Sequence, residues 1–246
     1  MNNFKIAVAQ VPSVKGDIAC NIATHLQAIA VAGAEGVSVL IFPELSLTGY
    51  EPELAAALAF TCDDSRLAPL IEAARAHNLY IIVGAPLAGD PLPRIGALIV
   101  SPTGEVSSYA KMYLHEGEEC YFSPGDAHHL LDIGGHTMAL AVCADTSQAA
   151  HASACAAQGA DIYLTSMLIS ANGYEHDTVQ LASYARDHKM LVAMANHNRP
   201  TGGLAAIGKS AMWTAAGRLA CADEAQSALV TAQTTAAGWI AEVVTV

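Results

Sequence analysis

The run Val37-Ser38-Val39-Leu40-Ile41-Phe42, closed by Pro43, constrains the fold more than any other segment of the chain. Its almost continuous apolar character is that of a strand buried on both faces, which requires covering layers above and below a sheet. Strand-length apolar runs recur at Phe4–Val8, Leu79–Val83, Ile95–Val100, Thr137–Val142, Ile162–Thr165 and Leu191–Asn196. Helical patterns separate them. Asp17 is placed to cap a helix running to Ala32, with Ile18, Ile22, Leu26 and Ile29 at helical spacing. Asp64 or Ser65 opens a second helix to His77, and two more are predicted over about Ser147–Gln158 and Glu175–His188. This alternation predicts a layered α/β architecture. Two hairpins break any uniform parallel order: Ile95–Val100 with Glu105–Tyr113 about the turn Ser101-Pro102-Thr103-Gly104, and another about Ala215-Ala216-Gly217. The expectation is a mixed sheet, or two packed sheets with helices outside. One domain over residues 1–246 is expected, with the tail from Asp223 unassigned.

Composition adds exclusions. Lys and Arg number 11 against 23 Asp and Glu, a formal net charge of −12, and the cations are scattered. Nucleic acid is therefore not expected as a partner, because neutralising phosphates needs a basic face. No apolar run approaches the roughly 18 residues of a spanning helix, so no membrane partner is expected. The segment Met1-Asn2-Asn3-Phe4-Lys5 lacks the pattern of a secretory signal, so a cytoplasmic location is expected. The six cysteines form no CxxC pair, so neither zinc nor a disulfide framework is expected, and no other metal or cofactor. Charged residues make up 14% of the chain, against about 25% in a typical soluble domain. That deficit points to apolar surface covered by another subunit.

Three residues at or near strand ends carry reactive groups. Glu44 directly follows the doubly buried strand, at its carboxyl end, where ligands bind in open α/β sheets. Burial there raises a carboxyl pKa towards the range useful for proton transfer. Lys111, in Tyr109-Ala110-Lys111-Met112-Tyr113-Leu114-His115, shares a strand face with Tyr109 and Tyr113 in a two-residue alternation, so its ammonium is expected among aromatics. A fixed cation of this kind stabilises a developing oxyanion. Cys143 closes the strand Thr137–Val142 and precedes Ala144-Asp145-Thr146-Ser147, so a helix dipole is expected to lower its pKa while the Ala144 N–H serves as an oxyanion donor. Cys20, Cys62, Cys120, Cys155 and Cys221 read as packing residues. Taken singly, each of the three has an ordinary structural alternative; together they form a carboxylate, cation and thiol set with no comparably placed histidine.

The blocks Phe42-Pro43-Glu44 with Leu47-Thr48-Gly49-Tyr50, Tyr109-Ala110-Lys111-Met112-Tyr113-Leu114 with Tyr121-Phe122-Ser123-Pro124-Gly125, and Val142-Cys143-Ala144-Asp145 resemble, in order and spacing, those of the nitrilase or carbon-nitrogen hydrolase superfamily. The resemblance implies an α-β-β-α sandwich of two mixed sheets with outer helices, packing as a homodimer or a higher homo-oligomer. It also implies that Glu44 is the general base and acid, Lys111 the oxyanion cation, Cys143 the nucleophile, and Glu119 the second glutamate that holds the lysine, with Glu118 as the alternative register. The implied reaction is hydrolysis of a small carboxamide or N-carbamoyl compound through a Cys143 thioester. Nitrile hydrolysis on the same residues, or a non-catalytic binding module, are the alternatives. Tyr50, His115, Asn172, Tyr174 and His176 are candidate substrate contacts from loops near these strand ends. Ala144 stands where the family often carries an aromatic residue, so the pocket departs from the common pattern.

Overall fold

The computed structural model describes residues 4–246. The first sheet contains β1 (Lys5–Gln10), β2 (Val39–Ile41), β3 (Tyr80–Leu87), β4 (Arg94–Val100), β5 (Val106–Ala110), β12 (Ala228–Thr235) and β13 (Gly238–Thr245), in the order β13-β12-β1-β2-β3-β4-β5. The second contains β6 (Leu130–Ile133), β7 (His136–Val142), β8 (Ile162–Met167), β9 (Leu191–Asn196), β10 (Ala211–Thr214) and β11 (Gly217–Cys221), in the order β11-β10-β9-β8-β7-β6. Both sheets are mixed: β1, β2 and β3 run parallel, as do β7, β8 and β9, and antiparallel strands flank each trio.

The doubly buried run explains the layering. Val39 and Ile41 point between the sheets, in one apolar cluster with Met138 and Leu140 of β7. Leu40 points the other way, into a cluster with Ile29 of α1 (Ile18–Ala34) and Leu70 of α3 (Ala68–His77). Each of these side chains is essentially fully buried, worth roughly 1.5–3 kcal/mol apiece relative to exposure. On the far side, α4 (Ala149–Ala157) and α5 (Ala171–His188) cover the second sheet through Cys155 and Leu181. A short helix, α2 (Ala55–Leu58), lies near β3. The result is an α-β-β-α sandwich. Asp17 caps α1 by accepting the Cys20 N–H at 3.0 Å, as the sequence predicts.

Three boundaries differ from expectation. The hairpin strand ends at Ala110 rather than Tyr113, so Lys111 lies just past β5 and the Tyr109/Lys111/Tyr113 alternation does not form. Helix α5 starts at Ala171, not Glu175. The unassigned tail forms β12 and β13, and β12 pairs antiparallel with β1 from Lys5↔Gln233 to Gln10↔Ala228.

Candidate active site

The carboxyl ends of the parallel trios meet at one end of the sandwich, where the Ser166 hydroxyl at the end of β8 donates to the Phe42 carbonyl beyond β2 at 2.7 Å. Glu44 leaves that end on a tightly held backbone. Leu45 adopts a left-handed φ of 50°, and the His197 Nε2–H donates to the Glu44 carbonyl at 2.7 Å. The chain fits only because residue 84 is glycine: a Cβ there would collide with the Pro43 oxygen and the Leu45 nitrogen. The Glu44 side chain is buried, its Oε1 accepts from Lys111, and its Oε2 is left without a hydrogen-bond partner.

Lys111 is fully buried, its backbone fixed between the Ile95 carbonyl and the Gly125 N–H. Its Nζ donates to Glu44 Oε1 at 2.8 Å and to both oxygens of Glu118 at 2.9 Å. Carboxylates surround the ammonium rather than the expected aromatics, because the chain turns away from the strand after Ala110. Asp145 enforces that turn: its Oδ1 accepts the N–H groups of Met112 and Tyr113, and its Oδ2 accepts the Tyr109 hydroxyl and the Val142 N–H. One buried aspartate therefore ties the lysine loop to the strand that carries the thiol.

The glutamate that contacts Lys111 together with Glu44 is Glu118, the alternative register, rather than Glu119. Gly117, at φ +92°, starts a short 3-10 turn that points Glu118 inward. Its oxygens take four donors: Lys111 twice, the Tyr50 hydroxyl at 2.6 Å and the His115 N–H at 2.8 Å. Glu119 is exposed and accepts only the nearby Gly117 N–H.

Cys143 ends β7 with a left-handed φ of 43°, a strained backbone of the kind that persists where surroundings over-determine it. The thiol is buried, and its pKa is pushed well above the usual thiol range by burial and then by the Glu44 charge, with Lys111 opposing. The lowering expected from a helix dipole does not occur. A five-residue 3-10 turn, Cys143–Ser147, starts at the cysteine, and α4 begins only at Ala149, so no long helix aims its amino end at the sulfur. Ala144 is buried in that turn, whose first amides have no acceptor within it. Burial likewise raises Glu44 above the usual carboxyl range, with Lys111 opposing and Glu118 adding to the rise. Burial alone would lower Lys111, but Glu44, Cys143 and Glu118 outweigh it, so the ammonium stays charged.

Glu44 and Cys143 floor a cavity of about 280 Å³, small for a ligand site. Tyr50 and His115 line it as expected, and His115 Nε2 lies 3.4 Å from the Cys143 sulfur. The sequence signalled no such contact with the thiol, since it joins a loop to a strand end far along the chain. Partial desolvation and the Lys111 charge lower the His115 pKa. Asn172, Tyr174 and His176 do not line the cavity. Asn172 and His176 face solvent, and the Tyr174 hydroxyl donates to the Lys209 carbonyl at 3.0 Å. Because α5 starts earlier than expected, its inward face carries Gly173 and Asp177, one helical turn apart, and these line the cavity with Leu168, Ile169 and Ser170.

Among the described residues, one set of ligand-capable atoms lies together, those of His128, His151 and Cys155. The His151 nitrogens already face tyrosine hydroxyls, Tyr163 at 2.8 Å and Tyr109 at 3.0 Å, so this set packs and orients the tyrosine that holds Asp145.

The model of the carbon-nitrogen hydrolase family matches residues 5–241. The chain belongs to this family. A mutant of the amidase from Nesterenkonia sp. AN1, solved in complex with butyramide, is 27% identical, with 94% of this chain and 90% of that chain covered and a TM-score of 0.86. Another structure of the same amidase shows the acetamide moiety of fluoroacetamide added covalently at the active site cysteine, with a TM-score of 0.87, 27% identity, and 95% and 91% coverage. Curated relatives include a glutamine-dependent NAD(+) synthetase of Thermotoga maritima, 28% identical over 71% of this chain and 31% of the relative. A formamidase of Pseudomonas syringae pv. tomato is 32% identical over 52% of this chain and 39% of the relative. The chain thus spans well under half the length of these two relatives. Among the described residues no helix is long and apolar enough to cross a membrane.

Proposed function

We propose that this hydrolase cleaves small carboxamides or N-carbamoyl compounds through a thioester on Cys143, releasing ammonia or an amine. The observation that carries the reading is the single buried cluster of Glu44, Lys111 and Cys143 at the floor of a small cavity. Glu44 takes the Cys143 proton through the oxygen that lacks a partner, and the thiolate forms under the field of Lys111. The transfer leaves the net charge of the cluster unchanged. The sulfur then bonds to the carbonyl carbon and pushes one electron pair onto the oxygen. Lys111 and the Ala144 N–H receive that oxyanion. Lys111 makes two contacts to Glu118, so one N–H is re-aimed at the oxyanion without unpairing the ammonium. Collapse breaks the C–N bond as protonated Glu44 gives its proton to the leaving nitrogen. Water attacks the thioester with Glu44 as base, and Cys143 recovers its proton as the acid leaves. Glu118 takes the holding role expected of Glu119.

In this reading the partner is a small amide, with no cofactor, metal, nucleic acid or membrane involved, acting in the cytoplasm. A homodimer is part of the proposal, supported by the low charged fraction and by Val179 of α5, which is 66% exposed. An ammonia-release screen over aliphatic amides, N-carbamoyl amines and nitriles, with Cys143→Ala as the blank, tests the reading. Release abolished in the variant supports it; release at the wild-type rate overturns it.

A further inference from the structure

Beyond the reacting cluster, the cavity wall is apolar apart from Tyr50, Ser170, His115 and Asp177, with Leu168, Ile169 and Leu204 supplying hydrophobic surface. Among the described residues no Lys or Arg lines it. Lys111 lies below the floor, fully buried, with its three N–H groups directed at two carboxylates. A substrate with a second, anionic end therefore finds no countercharge.

Asp177 supplies the opposite. Its side chain is partly exposed, and among the described residues its ion-pair partner is its chain neighbour His176, at 3.1 Å and itself 79% exposed. One carboxylate oxygen stays available to the cavity because residue 173, a turn earlier, is glycine. A Cβ there would stand 3.3 Å from Asp177 Oδ2 and 3.7 Å from Ile169 Cγ2, narrowing the mouth between them. His115 lies 3.4 Å from the sulfur and feels the Asp177 charge.

We propose that the cavity selects amides bearing a protonated amine at the end remote from the scissile bond, with Asp177 pairing the ammonium. The methylene chain between the two ends lies against Leu168, Ile169 and Leu204. Asp177 is thus a specificity-determining residue, and the substrate class narrows to ω-amino carboxamides and their N-carbamoyl counterparts. The inference rests on the amidase reading above.

The test compares three ladders of matched chain length: ω-amino amides, uncharged alkyl amides and ω-carboxy amides. Specificity constants for ammonia release are measured with wild type, Asp177→Asn and Asp177→Lys. Binding of the same compounds to Cys143→Ala is measured by calorimetry, which needs no turnover. The expected result is a cationic-over-neutral preference of roughly 10-fold or more at the best length, as for a charge-assisted hydrogen bond. Asp177→Asn should remove that preference, read as the ratio of the ω-amino to the alkyl specificity constants at each length, and Asp177→Lys should turn it towards the ω-carboxy amides. A structural role for Asp177 would instead depress all three ladders together and overturn the inference. So would tighter binding of alkyl amides than of ω-amino amides to Cys143→Ala at every length. Hydrolysis of alkyl amides without a cationic preference defeats the selectivity alone, whereas no cysteine-dependent release from any ladder defeats the amidase reading and the inference with it.

Discussion

Replacing Glu118 by Gln keeps the shape of the side chain and removes its charge, which separates its role from that of its neighbour. Each Glu118 oxygen accepts two donors, Lys111 with Tyr50 on one and Lys111 with the His115 amide on the other. Whichever way the new amide is turned, its NH₂ faces the ammonium and one further donor, so two contacts are lost, one of them to a charge. At about 1.5–3 kcal/mol for a hydrogen bond to a charged group, and less for the second, the loss reaches roughly 3–4 kcal/mol. Expressed in the transition state, that is about 10²–10³ in kcat/KM. The pH profile moves as well. The Glu118 charge is one of the influences that raise Glu44, so its removal leaves the opposing Lys111 less balanced and lowers the Glu44 pKa. Because Glu44 must be ionised to accept the thiol proton, the acidic limb of kcat/KM shifts to lower pH in Glu118→Gln. Glu119→Gln, a change at an exposed side chain that accepts one local amide, should stay within about twofold of wild type with an unmoved limb. The assay is ammonia release from the best amide across the acidic and neutral range. Wild-type activity and an unmoved limb in Glu118→Gln, or a larger loss in Glu119→Gln, would refute the reasoning.

Gly84→Ala forces a methyl against the backbone that carries Glu44, so turnover should fall by about tenfold or more while far-ultraviolet circular dichroism stays native; unchanged turnover contradicts it. His25 and His197 are fully buried and pushed down to about 4 by burial, so the unfolded chain takes up protons first as pH falls below about 6.5. Stability should then drop by about 2 kcal/mol for each histidine by about pH 5, and level off below about pH 4, read from urea midpoints. A flat midpoint between neutral pH and about pH 5 would be inconsistent with neutral burial. Mild alkylation should label the exposed Cys20, Cys62 and Cys120 before Cys143, because the Cys143 thiol is buried and raised. Peptide mass mapping reads the order, and Cys143 labelling first would show a resting thiolate.

Legibility of the fold and site followed the range of the interactions involved. The strand Val39–Ile41 was readable because burial on both faces leaves a local apolar run. Glu44 and Cys143 were readable because each follows such a run directly in the chain. The final two strands were not, since Thr231 and Gln233 break the apolar run of β12, and β13 is mostly exposed. Asn172-Gly173 reads as a turn by propensity, yet it opens α5 because Asn196 grips both backbone groups of Ile169 just before it, at 2.9 and 3.1 Å. That shift of the helix start moved the inward face from Tyr174 and His176 to Gly173 and Asp177. Choosing between Glu118 and Glu119 required the left-handed Gly117, a one-residue matter on which periodicity is silent. The anchoring role of Asp145 and the approach of His115 to Cys143 are tertiary, joining segments that no local pattern connects.

The central claim is that Cys143 forms the acyl intermediate. Acid quenching of the protein during turnover of the best amide from the ammonia-release screen, followed by intact and peptide mass spectrometry, reads it most directly. One acyl group of that amide on the peptide containing Cys143, absent in Cys143→Ala and lost when the wild type is left to turn over, is the expected result. Steady ammonia release with no acyl mass on that peptide, or release that persists in Cys143→Ala, would contradict the account.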